Sequence, residues 1–357
     1  MAMPAGTPAF FAGLTGLFCA LLAVPAAAQY KVVTAVPGKM TGGTTAFIDA
    51  PGKRVVEIDS NGKVIWQCSL AAAHFKSAEL QRGADLEWIK ADDTFLVAVP
   101  FSGIFRIDRK CNVVWRYLTA KVSHDADLLP NGNVLHTWAW DSPGDDQAVE
   151  VDPSGKVVWR WQARGKVDPA WAGEASAREG DRAPGRGGGG QGKGGGQGKG
   201  AGGGQGRGGG GDRDTDFTHA NAVVRLPGGD TLVSLRNFDR VARVAPDGSV
   251  RQFYGPISRV HDPSILPDGS LIAANHIPMR VIALMPGGVR RTVFANEIDI
   301  KPIRTVEQLA RGNFLLTGGE DIVEIDAASE VVWHVKIFSG LGARIRDGVY
   351  KAVRVAR

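Results

Sequence analysis

Cysteine is scarce in this sequence. The 357 residues hold three, Cys19, Cys68 and Cys111, and Cys19 lies in an N-terminal stretch treated below. A dense disulfide scaffold is therefore excluded. Cys68 and Cys111 stand too far apart in sequence to suggest a metal site. An oxidising compartment would permit a bridge between them, which the sequence leaves open. Long apolar runs are equally rare. Past the N-terminus, no segment approaches the ~20 apolar residues that cross a bilayer as a helix. No long segment carries its apolar residues with a 3.6-residue period, which argues against an α/β fold. Neither sign of charge dominates: 42 basic against 37 acidic residues leave +5. Part of that excess sits in a Gly-rich stretch, so no nucleic-acid surface follows from it.

Apolar residues make up 43% of the chain, enough for a sizeable core. At the N-terminus, an apolar stretch from Phe10 to Val24 runs into Pro25 and Ala26-Ala27-Ala28. Small residues after such a stretch read as a cleavage site, so residues 1–28 are expected to be a signal peptide, with Gln29 the first mature residue. The n-region has neither Lys nor Arg, and an uncleaved membrane anchor is the alternative. The expected location is periplasmic or secreted, with no membrane span after processing.

A phrase recurs: an apolar run, Asp, a short polar turn, then an apolar run ending in Trp. It appears at Val55–Trp66, Ile104–Trp115, Ala148–Trp159 and Ile322–Trp333, with Trp seven positions after Asp59, Asp108, Asp152 and Asp326. Two degenerate copies, Val241–Val250 and Val281–Val289, keep the apolar runs and the turn but lose Asp and Trp. β-branched runs around Asp/Gly/Pro turns are hairpins. A second phrase, Leu-Pro, a turn and an apolar strand, precedes most copies, as at Leu129–Leu135, Leu226–Leu232 and Leu266–Ile272. Two hairpins per unit make a four-stranded antiparallel sheet. Steps of 49 and 44 residues between the first three copies, and of 40 and 41 between the last three, match the roughly 40–50 residues of a propeller blade. The expected fold is all-β, a six-bladed β-propeller of four-stranded antiparallel blades, as one domain over 29–357. Residues 30–50 would supply the inner strand of the first blade or close the ring against the C-terminus. The step from Asp152 to Ala245 is 93, and its surplus contains 185–211, almost pure Gly with Gln, Lys and Arg. Such a segment cannot bury a core and is expected to be a disordered insertion.

Counting back eight from the turn Gly of the second phrase reaches His124, Asn221, His261 and Arg304, and the same count from Asp93 reaches Asp85. This position opens the inner strand of each blade, beside the central channel. His219 lies two residues before Asn221, so strand alternation would turn both the same way. Arg236 sits on the following strand. His74, His136, His276 and His334 fall off this ring and read as structural or surface residues. Three histidines, Asn and Arg converging on a channel make a donor-rich pocket for an oxyanion. A single His-Asp pair of this kind would otherwise read as a structural contact.

The segments Ser123-His124-Asp125 to Asn133, Thr218-His219-Ala220-Asn221 to Asn237, and His261-Asp262-Pro263 to Gly269 resemble the bacterial arylsulfotransferases. These are exported six-bladed propellers that need no 3′-phosphoadenylyl sulfate. The resemblance covers roughly residues 50–335 and lacks the extra N-terminal domain of longer members. It implies transfer of a sulfuryl group from an aryl sulfate ester to a phenolic acceptor, in ping-pong fashion through a sulfohistidine. By position His261 matches the nucleophile, and His124, His219, Asn221 and Arg236 match the groups around the sulfate. His124 or His219 would serve as general acid and base. No cofactor and no metal are expected, and the partners are the two small molecules. Three other readings stay open: a non-catalytic anion-binding propeller, a quinone-cofactor propeller, and a zinc site from His124, His219 and His261. Arg304 and Arg236 weigh against a bound cation.

Overall fold

The computed structural model describes residues 29–70, 80, 83–138, 141–172, 216–338 and 348–356. The expected signal peptide, His74 and the Gly-rich stretch lie outside the described residues. The fold is all-β, with six antiparallel sheets in a six-bladed propeller. Blade 2 runs from its inner to its outer strand as Asp85–Ile89, Thr94–Val99, Gly103–Ile107 and Val113–Leu118. Blade 3 comprises Val122–Leu128, Val134–Trp138, Ala148–Val151 and Val157–Trp161. Blade 4 comprises Ala220–Arg225, Thr231–Leu235, Arg240–Val244 and Val250–Tyr254. Blade 5 comprises His261–Ile265, Leu271–His276, Met279–Leu284 and Arg290–Phe294.

Blades 1 and 6 close the ring, and they share out the chain ends. Thr44–Asp49, Arg54–Ile58 and Val64–Ser69 form three strands of blade 1, and its inner strand is Ala352–Val355. Blade 6 has Thr305–Gln308, Phe314–Gly318, Asp321–Ile325 and Val331–Phe338. A fifth, outermost strand, Gln29–Ala35, is added to it. Of the two closures expected from residues 30–50, the second is found: the C-terminal segment supplies the inner strand.

Period-two alternation sends successive residues of each strand to opposite faces. In blade 1, Ala46, Ile48 and Val55 pack towards blade 2, while Phe47, Val56 and Ile58 pack towards blade 6. The same division at every blade gives six separate apolar cores, one at each blade interface.

The recurrent Asp and Trp now have physical reasons. Each Asp carboxylate accepts backbone N–H bonds from the residues two and four positions on, which fixes the turn. Each Trp then donates its indole N–H to the carbonyl directly after the corresponding turn position of the next blade. Trp66 reaches Arg109 O at 2.9 Å, Trp115 reaches Pro153 O at 2.9 Å and Trp159 reaches Pro246 O at 3.0 Å. Trp333 reaches Ser60 O at 2.8 Å and so joins the last blade to the first.

Around the channel a second set of staples links inner strands. Asp85 Oδ2 accepts from Ala126 N, Asp125 Oδ2 from Val223 N at 2.7 Å, Asp262 Oδ2 from Val306 N at 2.7 Å, and Glu307 Oε2 from Arg354 N. This register corrects one expectation. Asp85 is equivalent to Asp125 and Asp262, one residue past the histidine level, and Ala84 stands level with His124. The inner hairpin of blade 2 is one residue longer in its turn, where four residues, 90–93, separate the paired Ile89 and Thr94. In blade 3 the backbone bond from Leu129 N to Asn133 O, at 2.8 Å, closes a turn of three residues, 130–132.

Candidate active site

Five aromatic rings follow one another across the channel mouth. His219 stacks on His124 at 5.6 Å, and His124 on Tyr350 at 5.2 Å. Tyr350 lies 6.5 Å from His261, and His276 meets His261 edge to face at 5.2 Å. The structure thus brings together all five candidates, His124, His219, Asn221, Arg236 and His261, with Arg304 beside them. Tyr350 and His276 join them unexpectedly.

His261 is 1% exposed. Its Nδ1 lies 2.7 Å from Arg259 O. A carbonyl only accepts, so Nδ1 carries the proton. Asn221 Nδ2 and Arg304 Nη1 lie 3.1 and 3.0 Å from Nε2. A guanidinium only donates, so Nε2 presents its lone pair towards the channel groups. Burial, then the charges of Arg304, His276 and Arg236, hold the imidazole well below the usual histidine range. Its neighbours therefore fix both the tautomer and the neutral state.

His219 reaches the site by a different route from the one expected. It precedes the inner strand of blade 4 in the left-handed region, at φ +49°. A local turn, and not strand alternation, points its ring at His124. The turn is gripped by Asp141, whose carboxylate accepts Thr218 N at 2.9 Å, Thr218 Oγ1 at 2.6 Å and His219 N at 3.1 Å. From the other side Asn237 Nδ2 donates to Asp216 O at 2.6 Å. His219 Nδ1 in turn donates to Asp216 Oδ2 at 2.7 Å. Burial lowers the His219 pKa; the bond to Asp216 opposes this and Arg236 adds to it.

His124 donates from Nδ1 to Gly83 O at 3.2 Å. Burial and then His219 push its pKa down to about 3. Arg236 follows the second strand of blade 4, in the short turn Arg236–Phe238. Burial and the nearby Arg259 and Arg304 bring its pKa down to about 10, so it remains a cation at neutral pH. Arg304 lies over the Tyr350 ring at 5.7 Å, within cation–π range.

Beneath the histidines lies a carboxylate layer with one cation. Lys351 Nζ is 3.1 Å from Asp85 Oδ1 and 3.4 Å from Asp125 Oδ1. Burial pulls the Lys351 pKa down, but Asp85, Asp125, Asp262 and Asp127 outweigh it and hold the ammonium well above its ordinary range. A cavity of about 10 Å³, room for about one water, separates the two layers. The upper layer is thus rich in donors, while the lower one sets several carboxylates around one ammonium, and burial holds the pKa of Asp125, Asp127 and Asp262 above the usual carboxylate range.

Sequence counting missed three residues. His276 stands seven residues after Gly269, as Arg236 stands seven after Gly229, so a forward count would have found it. Asp216 borders the Gly-rich region, where no repeat phrase guides alignment. Tyr350 precedes a strand without the repeat phrase, and no local signal marks it. His136 and His334 are buried away from this site: His136 Nδ1 donates to Thr137 O, and His334 pairs with Asp321 at 2.6 Å. Both are structural, as expected.

In fold the chain is similar to a protein of unknown function from Bacteroides caccae. The two share 15% identity and a TM-score of 0.56, over 87% of this chain and 98% of that one. It is also similar to a streptogramin B lyase, with 10% identity and a TM-score of 0.51 over 89% and 85%. At such identities the likeness is one of fold alone. No curated protein sequence matches the chain. The model of one family, the arylsulfotransferases (ASST), matches residues 33–263, well over half of the sequence and all five candidate residues. The chain therefore belongs to the arylsulfotransferase family, and its general activity is that of an aryl sulfotransferase.

Proposed function

We propose that this protein, exported to the periplasm or beyond, moves a sulfuryl group from an aryl sulfate ester to a phenol through a sulfohistidine at His261. The observation that carries this reading is the state of His261 Nε2: unprotonated, and faced by two donors from Asn221 and Arg304. Those donors satisfy the lone pair at rest. When the ester binds, they can turn to the sulfuryl oxygens and release the lone pair for attack.

In the first half-reaction Nε2 forms a bond to sulfur. The S–O(aryl) bond breaks, and its electron pair leaves on the phenolate oxygen. That oxygen takes a proton from a histidine. Asp216 makes His219 the better donor, because its carboxylate stabilises an imidazolium at Nδ1. His124 has only a carbonyl partner there. The resting His219 is neutral by burial, and the incoming sulfate anion raises its proton affinity as it binds. In the second half-reaction His219 takes the proton of the acceptor phenol. The phenol oxygen bonds to sulfur, the S–N bond breaks, and its pair returns to Nε2. Arg236 and Arg304 offset the charge on the transferring group throughout.

Intact mass after incubation with 4-nitrophenyl sulfate tests this. The wild type should gain one sulfonate group that is lost on adding phenol, and His261→Ala should gain none. Absence of an adduct together with absence of nitrophenolate release, across several aryl sulfates, would leave the pocket as an anion site without turnover.

A further inference from the structure

We propose that Cys68 and Cys111 form a disulfide that joins blade 1 to blade 2. The inference rests on the internal repeat and is independent of the sulfotransferase reading. Number each outer hairpin from its Asp-equivalent position: Asp59, Asp108, Asp152, Ala245, Met285 and Asp326. Three residues on, the chain enters the left-handed region in all six blades. Gly62, Gly155, Gly248 and Gly288 fill that position at φ between +79° and +85°, as the conformation favours. In blade 2 the residue is Cys111, at φ +65°. Nine residues on, the outer strand holds Tyr117, Trp161, Tyr254 and Phe294 in blades 2 to 5, and Val335 in blade 6. In blade 1 it holds Cys68. All six occupy one register, since Cys68 pairs with Val55 as Tyr117 does with Ile104 and Trp161 with Ala148.

The two departures meet. In blades 2 and 3 the ninth position packs against the third position of the next blade. A Cβ added at Gly155 would come within 3.2 Å of the Tyr117 ring, and one at Gly248 within 4.0 Å of Trp161. A ring on a glycine therefore fills the interface between blades 2 and 3, and between 3 and 4. At the first interface both partners are cysteine. Cys111 Sγ lies 3.8 Å from Gln67 O, the carbonyl preceding Cys68. Ser329, the third position of blade 6, makes the same contact to Val293 O, which precedes Phe294. Trp66, beside them, bonds Arg109 O and holds the turn against the strand. The Cys68 thiol is within interaction range of the Cys111 thiol, and burial, then that neighbour, raise its pKa. A side chain at a left-handed position strains the turn, so Cys111 carries a cost that glycine would avoid.

Both thiols are reduced here, Cys68 buried and Cys111 exposed. Oxidation therefore starts at Cys111. Its thiolate attacks a disulfide oxidant, a small disulfide or a thiol–disulfide oxidoreductase, and expels one thiol. Cys68 loses its proton and attacks Cys111 Sγ in the mixed disulfide, expelling the second. One external disulfide is reduced to two thiols as one internal disulfide forms. The closed loop spans 43 residues, so the bridge restrains the unfolded chain appreciably.

The test is to incubate the wild type with oxidised glutathione, quench with acid, digest without reduction and map the peptides by mass. The expected product is one peptide pair linked through Cys68 and Cys111. It comes with a rise in Tm of several degrees that reductant reverses, and the doubly substituted Cys68→Ser, Cys111→Ser protein shows no Tm response to either reagent. Three results would overturn the proposal: both thiols still alkylated by a maleimide in the unfolded chain after oxidation, glutathione retained on Cys111 alone, or a link between two chains.

Discussion

Arg304→Gln is the substitution that most directly separates chemistry from architecture at this site. Arg304 Nη1 is 3.0 Å from His261 Nε2, and in the proposed reaction it takes one sulfuryl oxygen as charge develops there. Removing one such donor from a buried site costs about 3–4 kcal/mol, or about 10²–10³-fold in kcat. The same change alters the nucleophile. Burial is the first cause of the low His261 pKa and Arg304 is the second. Without the neighbouring cation the pKa moves up towards its ordinary value. More of His261 is then protonated at any given acid pH, so the acid limb of kcat/KM shifts to higher pH. Initial rates of 4-nitrophenyl sulfate turnover with a phenol acceptor, measured across pH, give both quantities. Glutamine is too short to reach Nε2 and carries no charge, yet it stays polar in the channel, so the blades should stay folded. A kcat/KM within about threefold of wild type, with the acid limb unmoved, would refute the reasoning. So would a large loss without any shift of the limb, since that would make Arg304 a structural residue.

Three further outcomes are expected. Asp216→Asn removes the carboxylate that supports an imidazolium at His219, and should lower kcat by about 10²–10⁴-fold, the range for a general acid. Phenols of low pKa, which leave without a proton, should lose much less, and a uniform loss across leaving groups would contradict the assignment. Lys351→Met leaves Asp85 and Asp125 buried without their cation, at a cost of about 3–5 kcal/mol in denaturant unfolding; unchanged stability would show that the carboxylate layer does not need it. Glu307 has its pKa raised to about 7, chiefly by burial, so its stabilising contribution is complete below the unfolded value and lost as pH rises through about 7. Glu307→Gln should therefore gain in Tm relative to wild type between pH 5 and pH 8, and a pH-independent difference would count against a buried, titrating Glu307.

What the sequence made legible was whatever the repeat wrote locally. The Asp and Trp positions announce a hairpin and its tie to the next blade, so the blade count and the antiparallel sheets could be read directly. His124, Asn221, His261 and Arg304 were reachable because each keeps a fixed distance from a turn glycine. Counting failed where a blade changed length: the four-residue turn between Ile89 and Thr94, one residue longer than that between Leu129 and Asn133, shifted Asp85 by one residue into the carboxylate layer. It also failed where residues far apart in sequence meet. Ala352–Val355 pairs with Thr44–Phe47 without any trace of the repeat phrase, and Tyr350 and Lys351 travel with that strand. The position of His219 was right for the wrong reason, because a left-handed turn held by Asp141 does what strand alternation was expected to do.

Ring closure by Ala352–Val355 ties integrity to activity. The same short segment hydrogen-bonds blade 1, sets Lys351 between the carboxylates of blades 2 and 3, and lays Tyr350 between His124 and His261. A chain cut before residue 348 would lose an inner strand, the cation of the lower layer and one wall of the pocket together. A partly assembled propeller with a working site is therefore not an available intermediate. Sulfuryl transfer and circular closure arrive in one step, and measured turnover becomes a count of closed rings.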